Sequence, residues 1–275
     1  QILIEMAYSG VCQSQLMEAR GKRGKDQYLP HLMGHEGTGK VVEIGEGVTK
    51  VKVDDWVILG WIKGLGLEGQ GTQYIGENGP INAGKVTTFS TFNVVSENRV
   101  VPLPKGIPKD IGVLFGCALP TGGGILINEL KPKKQSSIVF FGLGGVGLSA
   151  LMCVSLFEFS KVIAVDVFNE KLEFSKNIGA TNIVNASEVE PLSAIQEITN
   201  GEGVDYSVEA TGQIKTIELA FGCLKKDGSC VFASHPPAGE MIRLDPFELI
   251  SGKTIRGTWG GSCCPDNDIP KFASF

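Results

Sequence analysis

The sequence predicts an α/β protein in two parts: a β-rich, barrel-like unit followed by a doubly wound parallel sheet. Three observations carry this. From Gln1 to about Arg99, short apolar runs alternate with glycine turns, the pattern of an all-β unit. From Ile111 onward, strand-like and helix-like patterns alternate, as in a parallel sheet covered by helices. Between them Pro102, Pro104 and Pro108 punctuate the chain and mark a junction. The expected division is 1–110 and 111–275.

In the first part, Gly39–Gly45 alternates and turns at Glu46-Gly47. Val51-Lys52-Val53 leads into a turn at Asp54-Asp55, and Trp56–Leu59 resumes the strand. Thr87–Val95 is rich in β-branched and aromatic residues and reads as strand. Gly60–Gly84 holds eight glycines and little periodicity, so a loop is expected. In the second part, helices are expected over 111–130, 146–158, 170–178, 191–199 and 213–224. Strands are expected over 137–142, 161–167, 182–185, 204–211, 228–234 and 254–259. Pro270-Lys271-Phe272 reads as the start of one more helix.

At 275 residues the chain is long enough for two ordinary domains. Its hydrophobic fraction of 42% and charged fraction of 20% are those of a globular protein. A net charge of -5 without basic runs gives no footprint for nucleic acid. No apolar stretch reaches membrane-spanning length, and no signal-peptide pattern opens the chain. Gln1 in place of an initiator Met suggests a start inside a longer parent. Seven cysteines at irregular spacing do not form a disulfide framework, so a reducing, cytoplasmic compartment is expected. Cys153 and Cys230 fall in apolar runs and read as core, whereas the adjacent Cys263 and Cys264 read as exposed loop thiols.

The most informative stretch is Ser137-Ile138-Val139-Phe140-Phe141-Gly142-Leu143-Gly144-Gly145-Val146-Gly147. A strand ends at Gly142, the spacing is G-x-G-x-x-G, and a helical pattern opens at Leu148. Gly142 permits the turn, Gly144 lets a pyrophosphate approach the backbone, and Gly147 lets helix and strand pack closely. The helix start, with Gly145, offers free N–H groups to phosphate. A second strand, Lys161–Asp166, ends in an acid about 20 residues on, where a ribose diol is held. This predicts a dinucleotide site, and Asp166 would repel a 2′-phosphate, which favours NAD over NADP.

A second constellation is dispersed: Cys12 in Gly10-Val11-Cys12-Gln13-Ser14, His35 and Glu36 in Gly34-His35-Glu36, and Cys117 in Gly116-Cys117-Ala118. Such spacing alone does not define a metal site. Two thiolates and an imidazole are nevertheless a zinc set with a fourth position left open.

These pieces, with Val48–Asp55 and Gly116–Gly122, occur in the order and at about the spacing of one family. Over nearly its whole length the chain resembles the zinc-dependent, medium-chain alcohol dehydrogenases. The resemblance implies a GroES-like catalytic domain and a Rossmann domain. It implies that Cys12, His35 and Cys117 bind one catalytic zinc, with Glu36 the acid able to approach the metal. Ser14 resembles the hydroxyl that passes the alcohol proton outward. Thr121 and Val146 resemble residues flanking the nicotinamide, and Ala233, Gly257 and Trp259 those whose backbone meets its carboxamide. Asp166 and Lys171 resemble the pair at the adenosine ribose. The implied reaction is hydride transfer between an alcohol or polyol and NAD, by a homodimer or homotetramer built through the strand from Thr254 to Trp259. The alternatives are a zinc-free quinone or enoyl reductase and a non-catalytic nucleotide-binding protein.

The chain departs from the family at three places. Gly60–Gly84 lacks the four cysteines of a structural zinc lobe, so one metal is expected. Gln15 replaces an aspartate that supports the zinc-bound histidine. Met17 replaces a histidine at the outer end of the proton relay. The resemblance also implies further segments before Gln1 and after Phe275. Trp61 and Phe92 are candidates for pocket walls or for core packing, Gln13, Met17 and Leu65–Leu67 for the pocket border, and His235 for contact with the cofactor.

Overall fold

The computed structural model describes residues 1–275, which form two compact units. The first comprises Gln1–Pro120 and Cys263–Phe275, the second Thr121–Ser262. The boundary therefore falls at 120/121 rather than 110/111, and the final thirteen residues return to the first unit instead of staying with the second.

The first unit opens with β1 (Ile2–Ser9) and a short helix α1 (Gln13–Ala19). It continues with β2 (Glu36–Ile44), β3 (Trp56–Gly60), β4 (Gln73–Gly76), β5 (Gly79–Asn82), β6 (Phe92–Val95) and β7 (Val100–Pro102). Five of these strands form an antiparallel sheet in the order β6-β1-β2-β3-β7. Ile2, Ile4, Val41, Val57, Leu59 and Val95 bury one face as a core. Val51 and Lys52 lead into a turn at Val53-Asp54, one residue before the expected pair: the Asp55 carboxylate accepts the Lys52 N–H at 2.9 Å, and Asp54 takes φ 72°. Of Thr87–Val95, only the last four residues pair.

The stretch expected as loop carries the β4–β5 hairpin, and polar contacts hold the lobe around it. Glu68 pairs with Lys63 at 2.7 Å and Lys85 at 3.0 Å and accepts from Asn98. The buried Glu97 carboxylate accepts the N–H groups of Thr49, Lys50 and Leu67. Ionic and backbone contacts thus occupy the lobe that lacks cysteines.

The helix expected over 111–130 is broken. α2 (Lys109–Gly112) runs into a 3₁₀ turn, Val113–Gly116. Cys117 then leaves helical space (φ −150°, ψ −72°) before α3 (Ala118–Gly124), which passes into a π-helical turn, Ile125–Leu130. Pro120 lies in the first turn of α3, where its missing N–H costs no hydrogen bond.

The second unit follows with β8 (Ser137–Phe141), α4 (Gly145–Met152), β9 (Lys161–Asp166), α5 (Asn169–Asn177), β10 (Asn182–Asn185) and α6 (Pro191–Ile198). It is completed by β11 (Val204–Glu209), α7 (Ile214–Gly222), β12 (Leu224–Phe232), α8 (Pro246–Ile250) and β13 (Thr254–Gly257). The sheet is parallel in the order β10-β9-β8-β11-β12-β13. All five residues of β8 are buried because both sheet faces are covered. Side chains alternate between the faces: Ile138 and Phe140 enter one core, Val139 and Phe141 the other. Each buried aromatic contributes on the order of 2–3 kcal/mol.

The return segment forms α9 (Pro265–Phe272), whose Ile269 and Phe272 pack with Ile58, Val101 and Phe115 of the first unit. Cys263 is consequently buried rather than exposed, and Cys264 precedes the helix. No single helix is long and apolar enough to cross a membrane.

Candidate functional site

In the first unit, Cys12 leaves β1 in extended conformation and caps α1, its carbonyl accepting the Gln15 N–H at 3.0 Å. His35 immediately precedes β2, and Cys117 lies at the helix break. Two glycines bring these points together. A Cβ on Gly10 would stand 2.7 Å from the Glu36 carboxyl, and one on Gly116 would stand 2.8 Å from the Glu36 Cβ. Only bare backbone allows both segments to close on the start of β2. The Cys12 and Cys117 sulfurs and a ring nitrogen of His35 then lie within 4.8 Å of one another. His35 Nε2 is 3.3 Å from Cys117 Sγ, and the Trp61 ring meets His35 edge-on at 6.5 Å between centroids.

The two thiols are strongly coupled. A hydrogen bond from Cys117 holds the Cys12 thiol far below its usual value; burial opposes this, and His35 and Ser14 add to it. Donating that bond, burial, and the negative charges of Cys12 and Glu36 push Cys117 up, while a hydrogen bond with Trp61 acts the other way. The pair therefore loses its first proton easily and keeps its second. Burial raises the Glu36 carboxyl to about 7; His35 opposes and the Cys12 charge adds. Glu36 Oε2 is buried without a hydrogen-bond partner. Two sulfurs, an imidazole and an orphaned carboxyl oxygen fit a soft divalent cation such as zinc, whose charge would compensate the second thiolate. Glu36 itself stands outside the three-atom set.

Around this centre the Ser14 hydroxyl is buried, as is Gln15, whose Oε1 finds no partner. Met17 is half-buried on α1. Trp61 joins the centre. Phe92, on an edge strand, and Leu65 and Leu67 are largely exposed.

In the second unit, the glycine turn joins β8 to α4. Gly142 has φ 88°, and a Cβ on Gly147 would collide with the Gly142 carbonyl oxygen. A Cβ on exposed Gly144 would meet nothing within 4 Å, so the turn leaves open the space a pyrophosphate needs. Asp166 ends β9 and is bound into the same turn. Its Oδ2 accepts the Leu143 N–H at 2.7 Å, its Oδ1 accepts from Val167 and Phe168, and Lys171 Nζ is 3.9 Å away. Val146 is half-buried in the first turn of α4, and Thr121 is buried at the start of the unit. Ala233 and Gly257 lie at the carboxyl ends of β12 and β13, with Trp259 just beyond. In a parallel sheet these ends share one edge, where nucleotides bind at the reversal of strand order, here between β8 and β11. His235 is exposed in the loop after β12.

Two acids that sequence reasoning passed over lie in the second unit. Glu209, fully buried at the end of β11, accepts the N–H groups of Thr211 and Gly212. Glu129 is a lone acid in an apolar helical run, and that isolation was the signal available for it. A second group of possible ligands, Glu18, Asp26 and His31, lies in the first unit. There His31 Nδ1 donates to the Leu32 carbonyl at 2.7 Å, and Nε2 stands 2.7 Å from Asp26, as in a salt-bridged imidazolium.

Fold and site together are those of an oxidoreductase. Residues 1–105 match the alcohol dehydrogenase GroES-like domain, and 145–275 the zinc-binding dehydrogenase domain. The chain is 30% identical to benzyl alcohol dehydrogenase from Acinetobacter calcoaceticus, with a TM-score of 0.86 over 99% of this chain and 80% of that one. It is 28% identical to an alcohol dehydrogenase zinc-binding domain protein from Burkholderia ambifaria, with a TM-score of 0.83 over 98% and 80%. To zinc-dependent alcohol dehydrogenase 2 from Streptococcus pneumonia it is 25% identical, with a TM-score of 0.82 over 99% and 79%. The chain belongs to the medium-chain, zinc-binding alcohol dehydrogenase family.

Proposed function

We propose that the protein is a zinc-dependent, NAD-linked alcohol dehydrogenase that transfers hydride between an alcohol or polyol CH–OH and the nicotinamide. The convergence of Cys12, His35 and Cys117 within 4.8 Å carries this reading. Zinc held by these three residues supplies a Lewis acid that polarises the alcohol or carbonyl oxygen, and NAD supplies the hydride acceptor. The buried Ser14 hydroxyl takes the alcohol proton and passes it outward. With Met17 half-buried beyond it, no second imidazole continues that path. Glu36 provides a carboxyl able to approach the metal. Gln15 stands where a carboxylate would lend basicity to His35, and its Oε1 makes no hydrogen bond.

In the nucleotide unit, the amides at the start of α4 receive the pyrophosphate, and Asp166 with Lys171 holds the adenosine ribose. Thr121, Val146, Ala233, Gly257 and Trp259 meet the nicotinamide end. Trp61 walls the substrate side, and aromatic alcohols belong in the substrate panel beside aliphatic alcohols and polyols. Seven cysteines at irregular spacing suit a reducing cytoplasm. The outer edge of β13 is available to pair with a second copy, giving a homodimer or homotetramer.

The test combines metal analysis with alcohol-dependent NADH formation. One zinc per chain and turnover lost on chelation are expected. Turnover in metal-free protein, or preference for NADP, would overturn the reading.

A further inference from the structure

We propose that Glu129 is a positioning residue for the nicotinamide end of the cofactor, acting through the segment Gly257–Ser262. The inference rests on the reading above, in which Gly257 and Trp259 meet the nicotinamide.

Glu129 lies on the π-helical turn Ile125–Leu130, with a side chain only 4% exposed. A carboxylate so buried is costly unless its partners are supplied. They come from one short stretch of chain. Arg256 Nη2 stands 3.2 Å from Oε2, the Ser262 hydroxyl donates to Oε1 at 2.8 Å, and the Thr258 hydroxyl donates to the same oxygen. The clamp is extended by neighbours: the Gly261 N–H donates to Thr258 Oγ1 at 2.9 Å, and Asn128 Nδ2 donates to the Gly261 carbonyl at 3.2 Å.

The clamped segment needs holding. Gly260, Gly261 and Ser262 take φ values of 67°, 66° and 49°, three consecutive left-handed residues, and the last is not glycine. Between the hydroxyls that Glu129 holds sits Trp259, 78% exposed, just past the carboxyl end of β13 and therefore on the cofactor edge of the sheet. β13 itself is secured by its pairing with β12 from Thr254 to Gly257. Loss of Glu129 therefore loosens the Trp259 segment while leaving the sheet, the glycine turn and Asp166 in place. The carboxylate fixes one end of the cofactor and not the other.

Titration calorimetry of the whole chain with NADH and with ADP-ribose, which lacks the nicotinamide, separates the two ends. Glu129→Gln should weaken NADH about tenfold, the loss of one to two hydrogen bonds, and leave ADP-ribose within about twofold. Thr258→Val should shift affinity in the same direction by a smaller factor, and it decides the matter if Glu129→Gln does not fold. Equal loss for both ligands would make Glu129 merely structural, and no loss for either would also overturn the proposal. Trp259→Pro, which deletes the backbone N–H of the residue read as meeting the carboxamide, isolates the underlying reading. If it leaves NADH affinity unchanged, Trp259 does not meet the nicotinamide and both ideas fall. If it selectively weakens NADH while Glu129→Gln and Thr258→Val do not, only the role of Glu129 falls.

Discussion

The nucleotide unit and the β-rich unit build their sites in opposite ways. In the nucleotide unit, the turn from Gly142 to Gly147 and the acid at Asp166 belong to one strand–helix–strand segment, and the turn contributes mainly backbone. In the β-rich unit, Cys12, His35, Trp61 and Cys117 come from four separate places and contribute side chains. A backbone site is encoded by local spacing. A side-chain site depends on long-range approaches, such as those of Gly10 and Gly116 to Glu36.

The sharpest break in this contrast is Cys12→Ser. It should remove the metal and lower kcat at least about a thousandfold, the scale of several kcal/mol of lost charge stabilisation. NADH affinity should stay within about twofold. Metal content, kcat and calorimetric Kd, measured together, check this; loss of NADH binding would show that the two sites are not separable. Gly147→Ala is the mirror experiment. A methyl driven against the Gly142 carbonyl should cost about 3 kcal/mol and lower both Tm and NADH affinity, while metal content holds. An unchanged Tm would mean that the turn tolerates a side chain.

Asp166→Ala should act more moderately. It removes three backbone hydrogen bonds and the carboxylate proposed to accept from the ribose, so NAD affinity should fall about tenfold and discrimination against NADP should shrink. A retained preference for NAD would place the selectivity elsewhere.

The smallest effect is expected at the pair His31 and Asp26, which belong to neither proposed site. The hydrogen bond to Leu32, aided by Asp26 and Glu18 and opposed by burial, raises His31. The bond from Tyr28, with His31, lowers Asp26. A raised histidine stabilises the fold below its unfolded value and ceases to do so as pH rises through the folded one. A lowered aspartate stabilises above its unfolded value and ceases as pH falls through the folded one. The pair should therefore contribute most from about pH 4 to 6.5. The Tm gap between wild type and His31→Gln should narrow by pH 8.5. A gap independent of pH would leave His31 a packing role only.

Several features were legible because they follow from local chemistry. The alternating apolar positions of β8, the glycine spacing and the acid closing β9 announce a parallel sheet with a strand–glycine turn–helix unit. The helix expected across 111–130 failed because helical composition does not report a break whose cause is remote. Gly116 must lie against β2 and β3, and Cys117 leaves helical space to reach His35. The burial of Cys263 was equally hidden, since it depends on α9 returning to the first unit.

By itself, then, the sequence determined the two-part architecture, the glycine turn and the types of donor atom available. These rest on periodicity of two or 3.6 residues and on glycine at fixed offsets, which are local physics. Tertiary structure alone decided that two thiols and an imidazole from widely separated segments converge, that Trp61 stands beside them, and that Glu129 grips the Trp259 segment. Those outcomes depend on which buried backbones can approach and which buried charges find partners, and both are settled only when the whole chain is packed.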